Sequence, residues 1–420
     1  MLLCGLLACA ANAADLVEFL NGAKARGTVK EIRKAKKEFD LEVQLGKRKL
    51  VRTYTFDKVH AVTIKGKRFV LNKQDQAATG SADTSSRTQR TRSQVLDLID
   101  TVGRTPPDWF DSTPLDYPAT LDLAWPLKPP KKGWNNQKNV GQYKWDIINP
   151  NPGRWKSGIR LVHQTMSLHK DQPDLLRRDM RALGEMYFEL FQDYPRAAFW
   201  LRRGKVRLPE PQSIHLAECY WRLGNKQMVL QTLKAPKLPT NAIKLLGAIG
   251  QADRAGKLAE SFGRSYPDRA HEPYLLAGDA YRLAERYRPS IEFYEKVLAL
   301  NQARNDNYQK IYSGRARDSI AAIKLFDKAD VSKVADGSYR ASSTGYNGAL
   351  EIEVTVASGK LKKLRVTKHR EKQFYAALTD TPNQILKKRS VKQIDATTRA
   401  TITSQAIVNA TAKALAEGSQ

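Results

Sequence analysis

The ten residues from Asp395 to Ser404, DATTRATITS, hold one carboxylate and five hydroxyl side chains. In the stretch that starts there, Ile402, Ala406, Ile407, Ala410 and Leu415 share one side of a helix. Thr401, Thr403 and Ser404 then stand at the helix entrance, where N–H groups without intrahelical acceptors meet the positive end of the dipole. Phosphate is a group that such an entrance holds well. One hydroxyl is enough to cap a helix. The surplus asks for a ligand.

These residues need a frame. Upstream, DGSYRASSTGYNGALEIEVTVASGKLKKLRV starts with a turn at Asp336-Gly337 and continues as a strand through Ile352, Val354 and Val356. A Ser358-Gly359 turn leads to a second strand through Leu361, Leu364 and Val366, and a helical stretch runs from Gln373 to Lys388. Residues 331–418 therefore form an α+β domain.

That strand-rich segment and DATTRATITSQAIVNATAKAL together resemble the FMN-binding domain of the FMN-carrying subunits of the Na+-pumping NADH:quinone reductase and the Rnf complex. In that family a flavin transferase reads Asp-x-x-Ser/Thr-Gly-Ala-Thr and joins the FMN phosphate to the last threonine. The resemblance maps Asp395, Thr398 and Ala400 onto the motif and makes Thr401 the acceptor, with Thr403 and Ser404 matching downstream. Arg399 departs from it by replacing glycine. If the glycine serves a positive backbone dihedral, Arg399 impedes modification; if the turn accepts a side chain, its guanidinium can pair with phosphate. The resemblance implies FMN as cofactor, covalent through Thr401, and electron transfer as the activity, with a flavin transferase and a redox partner protein as partners. Tyr339, Tyr346 and His369 are candidate neighbours of the flavin ring, and Lys392 joins Arg399 as a basic candidate for the phosphate. No catalytic acid, base or nucleophile is visible, nor a dinucleotide fingerprint or P-loop, so an electron carrier is expected rather than a stand-alone enzyme.

The remaining residues suggest several modules. Residues 1–13, MLLCGLLACAANA, read as a signal peptide ending in Ala11-Asn12-Ala13, with a lipid-anchored Cys9 or a start further upstream as alternatives. Export to the periplasm or cell envelope follows, membrane association being left open. Cleavage leaves Cys219 alone, without a disulfide partner or a CxxC metal pair. Residues 14–74 alternate apolar and basic positions between Gly27, Gly46 and Gly66, and predict four or five short strands in a barrel-like module. A Ser/Thr/Gln-rich linker is expected over residues 75–92. Residues 93–174 carry Trp109, Trp125, Trp134, Trp145 and Trp155 among many prolines, and are expected to be irregular chain that wraps another module.

Residues 175–330 become helical and repetitive. Gly184, Ala217, Gly247 and Gly278 recur near the length of a helix-turn-helix unit, with Tyr187, Tyr220 and Tyr281 three positions after three of them. The units resemble tetratricopeptide repeats, which implies a groove for a peptide or protein. The net charge of +28 suits an anionic partner, but Lys and Arg are spread along the whole chain, so nucleic acid is not the expected one. The scattered histidines show no metal-ligand spacing. The expectation is multidomain α+β: a small β module, a central helical solenoid and a C-terminal FMN-binding domain. An extracytoplasmic scaffold with a degenerate FMN-binding domain is the alternative function.

Overall fold

The computed structural model describes residues 15–19, 24–45, 48–64, 66–72, 88–128, 133–300, 303–373 and 375–419. The expected signal peptide and most of the expected linker lie outside these residues. The chain divides into two compact units, residues 1–80 with 98–112, and residues 81–97 with 113–420.

The first unit is an antiparallel sheet of β1 (Asp15–Phe19), β2 (Lys24–Arg33), β3 (Glu38–Leu45), β4 (Arg48–Thr55), β5 (Val59–Ile64) and β6 (Lys67–Val70). Its strand order is β4-β3-β2-β1-β5-β6. Alternation builds its core: Phe39, Leu41 and Val43 point inward with Val17, Tyr54, Val59 and Val62. The expected barrel is not closed. β6 has four residues, all exposed, and carries no inward face with which to seal against β4.

In the second unit, α1 (Arg92–Leu98, which runs into the first), α2 (Val140–Tyr143), α3 (Trp155–Leu168), α4 (Pro173–Met186), α5 (Tyr194–Arg203), α6 (Pro211–Arg222) and α7 (Lys226–Thr232) come first. They are followed by α8 (Ala242–Ala248), α9 (Ala252–Ser265), α10 (His271–Leu283), α11 (Tyr287–Ala299) and α12 (Asp306–Leu325). Residues 93–174 are thus less irregular than their prolines suggest. Past Pro152 the spacing of Ile159, Leu161 and Val162 supports α3, whose buried face carries all three. Trp155 packs edge-on against Phe191 and Trp125 lies under Arg178, whereas Trp134 and Trp145 remain exposed.

The recurring small residues sit where helices cross closely. A methyl group on Gly184 would meet Leu201 at 2.7 Å, on Gly247 the Cβ of Ala280 at 2.6 Å, and on Gly278 the ring of Tyr294 at 2.5 Å. Each contact is shorter than side-chain carbons tolerate. Glycine therefore sets the helix spacing at these points.

The C-terminal sheet is β7 (Gly337–Thr344), β8 (Ala349–Ala357) and β9 (Lys360–Lys368) in sequence order, all antiparallel. β7 is one strand more than the apolar pattern foretells, because GSYRASST turns only small or amphipathic side chains inward. Ser358 and Gly359, with φ of 53° and 63°, form the tight hairpin between β8 and β9. Helix α13 (Ala377–Lys388) and α14 (Thr401–Glu417) complete the domain. Leu350, Ile352, Val354 and Val356 share a core with Ala406, Ile407 and Ala410 of α14, and with Ala316, Ala322 and Ile323 of α12. The sheet thus fixes α14, and with it the direction in which its first turn faces.

Candidate functional site

Three residues in the connection from α13 to α14 adopt left-handed backbone: Arg389 (φ 53°), Gln393 (φ 55°) and Arg399 (φ 62°). The position where the FMN-binding motif has glycine therefore needs a positive φ, and Arg399 supplies it at a cost of roughly 1–2 kcal/mol. The surrounding bonds impose this shape. Gln384 Nε2 donates to the Asp395 carbonyl at 3.0 Å, the Thr397 amide to Ser404 Oγ at 3.0 Å, and the Ala400 amide to the Thr397 carbonyl at 3.0 Å.

The first half of the loop is docked on the central helices. Asp395, 1% exposed, accepts from Arg222 Nη1 at 2.9 Å, and Thr398, also 1% exposed, donates to Glu218 Oε1 at 2.8 Å. With its proton committed there, Thr398 Oγ1 is left to accept from the Tyr194 hydroxyl at 3.1 Å. Lys244 Nζ lies 2.5 Å from the same oxygen of Glu218, and Arg222 Nη2 3.1 Å from it. Two carboxylates and two cations balance in a buried network. Burial alone would raise the Glu218 carboxyl, but the charges of Lys244 and Arg222, with hydrogen bonds from Lys244 and Thr398, hold it well below the usual range. Burial likewise pushes the Tyr194 hydroxyl up to about 12, so it remains a donor.

The hydroxyls beyond are sorted by their partners. Thr397 Oγ1 donates to Asp380 at 2.6 Å and Thr403 Oγ1 to Glu371 Oε2 at 2.8 Å. Ser404 Oγ, besides the Thr397 amide, accepts from Thr381 Oγ1 at 3.0 Å. Among the described residues, the hydroxyl of Thr401 is the one in this cluster without a hydrogen-bond partner, and it is half-buried. Ala400 occupies the N-cap, so no side chain caps the helix, and its first turn holds no acidic residue. An uncapped amide turn beside a free hydroxyl has the donor set that a phosphate requires.

The other expected site residues divide. Tyr346 and His369 flank the Thr401 end: the Tyr346 amide donates to Glu371 Oε1 at 3.0 Å, and the Glu371 amide to His369 Nδ1 at 3.3 Å. Tyr339 does not belong there. Its ring packs against Gly418 at the far end of α14, roughly 25 Å from Thr401 at 1.5 Å of rise per residue. Lys392 reaches Asp327 at 3.2 Å, and Arg399 reaches Glu189 at 2.8 Å, so both cations are engaged by carboxylates. Burial raises the Glu189 carboxyl in spite of the opposing charge of Arg399.

Tyr194, Glu218, Arg222, Lys244 and Glu371 were invisible as site residues. Glu218 and Arg222 are legible as a helical pair four apart, but the loop they receive lies more than 170 positions along the chain.

The model described as "FMN-binding domain" matches residues 345–416. The C-terminal domain is an FMN-binding domain. Its cofactor is FMN, and the matched segment contains Tyr346, His369, the docked loop and Thr401. A curated relative from Treponema pallidum (strain Nichols), described as "Uncharacterized protein", is 33% identical over 90 residues. The alignment covers 21% of this chain and 25% of that protein, so the chain spans about a quarter of that relative's length. No solved structure matches.

Proposed function

We propose that this chain is an exported flavoprotein in which Thr401 carries FMN through a phosphoester and which transfers electrons between partner proteins outside the cytoplasm. The observation that carries the reading is the hydroxyl of Thr401, left without a partner in a cluster whose other hydroxyls are all bonded, at an uncapped helix N-terminus. FMN held there supplies one- and two-electron redox chemistry. The chain's own part is to bind and orient. The first amides of α14 hold the phosphate, Tyr346 and His369 border the ring, and the Glu218–Arg222 network fixes the loop on which Thr401 stands. A covalent tether suits a compartment where free cofactor would diffuse away. Support for export comes from the Ala11-Asn12-Ala13 ending of the apolar leader and from Cys219 being the one cysteine that remains after it. The helical region, with small residues at its crossings, would act as a tetratricopeptide-like array whose concave face docks the redox partner or another peptide.

The experiment is coexpression with a flavin transferase followed by intact-mass measurement of the chain and of Thr401→Ala. The expected result is a gain of one FMN less one water in the parent chain and none in the variant. A second reading, an extracytoplasmic scaffold whose FMN-binding domain is degenerate, is favoured by the burial of Asp395 and Thr398, which an external enzyme cannot reach in the docked loop. A chain that gains no mass and also fails to bind free FMN selects the scaffold.

A further inference from the structure

A cavity of about 690 Å³ opens between α4, the turn after α5 and the Trp125 loop, and none of its lining residues belongs to the FMN-binding domain. Its volume lies within the range of small-molecule sites. Its wall carries six Lys or Arg side chains against three carboxylates. Two of those carboxylates are taken: Asp174 pairs with Arg177 at 3.2 Å and Glu210 with Arg181 at 3.1 Å. Lys144, Lys205 and Arg207 have no carboxylate within ion-pair distance among the described residues. The cavity thus has a net positive wall.

One of its cations is built in. The guanidinium of Arg178 lies 3.6 Å over the Trp125 ring, donates through Nε to Asp179 Oδ1 at 2.8 Å, and reaches the Trp125 carbonyl through Nη1. Asp179 is held in turn by His169 Nδ1 at 2.6 Å, and both residues are buried. Arg178 Nη2 has no acceptor but is closed off from solvent, so Arg178 contributes to the wall as a fixed charge and not through that N–H. Arg177, Arg178 and Arg181 are each paired with a carboxylate, so the charge left over in the wall is that of Lys144, Lys205 and Arg207 against Glu185. An anion in the cavity offsets it.

We propose that this cavity binds a small polyanion, a molecule bearing two or more carboxylate or phosphate groups, with Arg178 as the fixed cation and Lys205 and Arg207 as the cations of the rim. The volume is that of a small molecule rather than of an extended acidic chain. Lys205 and Arg207 are exposed and lie in a connecting turn, so changing them leaves the helical core intact.

The test is isothermal titration of the full chain with pyrophosphate and, separately, with citrate, at constant ionic strength. Saturable one-site binding of at least one probe is expected, and the probe preferred tells phosphate from carboxylate. The pair Lys205→Gln with Arg207→Gln should weaken it at least about tenfold. The pair Lys362→Gln with Lys363→Gln, exposed on β9, should change it less than about twofold. Arg178→Gln, checked for an unchanged circular dichroism spectrum, should abolish it. Absence of saturable binding of both probes overturns the proposal. So does an equal loss in the β9 pair, which would mark the general attraction of a strongly cationic chain. Neither outcome bears on the mass gain at Thr401, so the two readings fail separately.

Discussion

The loop before α14 divides into two halves that the protein treats in opposite ways. From Asp395 to Thr398 each polar side chain is buried and bonded, to Arg222, Asp380 or Glu218. At Arg399 and Thr401 the side chains return toward the surface; Arg399 pairs with Glu189, and the stretch ends in an uncommitted hydroxyl. The difference separates two tasks that a modified residue must reconcile. Its neighbours have to be fixed in order to present it, and it has to stay reachable itself.

The comparison breaks first at Arg222. Arg222→Met leaves Asp395 and Glu218 buried with one cation fewer and should cost about 3–5 kcal/mol, read from urea unfolding. Thr401→Val, on the open half, should cost less than about 1 kcal/mol in the same measurement. Comparable losses would mean that Thr401 is also part of the dock.

Acid titration sharpens it next. The Glu218 carboxyl is depressed in the folded chain, so its contribution is present above the unfolded value of about 4.3 and is lost as pH falls through the folded value. Glu189 has the opposite sign. Its carboxyl is raised, so its contribution is present at low pH and is lost as pH rises through the folded value. Glu218→Gln should flatten the acid limb of the stability profile, whereas the stability of Glu189→Gln relative to the parent chain should grow with rising pH. Profiles that move in the same direction would contradict the division.

The smallest effect concerns Arg399. Arg399→Gly relieves the left-handed strain, worth about 1 kcal/mol, but removes the partner of a buried carboxylate, which costs about 1–3 kcal/mol. A net loss near 1 kcal/mol is expected, and adding Glu189→Gln should reverse it, as a double-mutant cycle would show. Additive single effects would dissolve the pair.

How much of this the sequence discloses follows from the range of the interactions. The alternation of Ile352, Val354 and Val356 and the motif from Asp395 to Thr401 are local patterns, and both lie inside the matched domain. The positive φ demanded at position 399 was legible as a question, because glycine is the residue the motif places there, and the structure answers it with φ 62°. The dock was not legible. Thr398 meets Glu218 across 180 positions and Asp395 meets Arg222 across 173, and no periodicity carries such a pairing. Tyr339, a candidate by its place within the domain, lies at the far end of α14, and Lys392, a candidate by its nearness in sequence to the loop, pairs with Asp327.

The open N-terminal sheet has a separate consequence. Among the described residues the sheet ends in β4 and β6, and an edge strand that offers unpaired amides and carbonyls templates the addition of strands from other copies, the first step toward fibrils. Here β4 carries Lys49 and Arg52, and β6 carries Lys67 and Arg68. A second copy approaching either rim meets its own charges. The lysines and arginines that look like surplus in the composition therefore act, at these two rims, as guards against self-association.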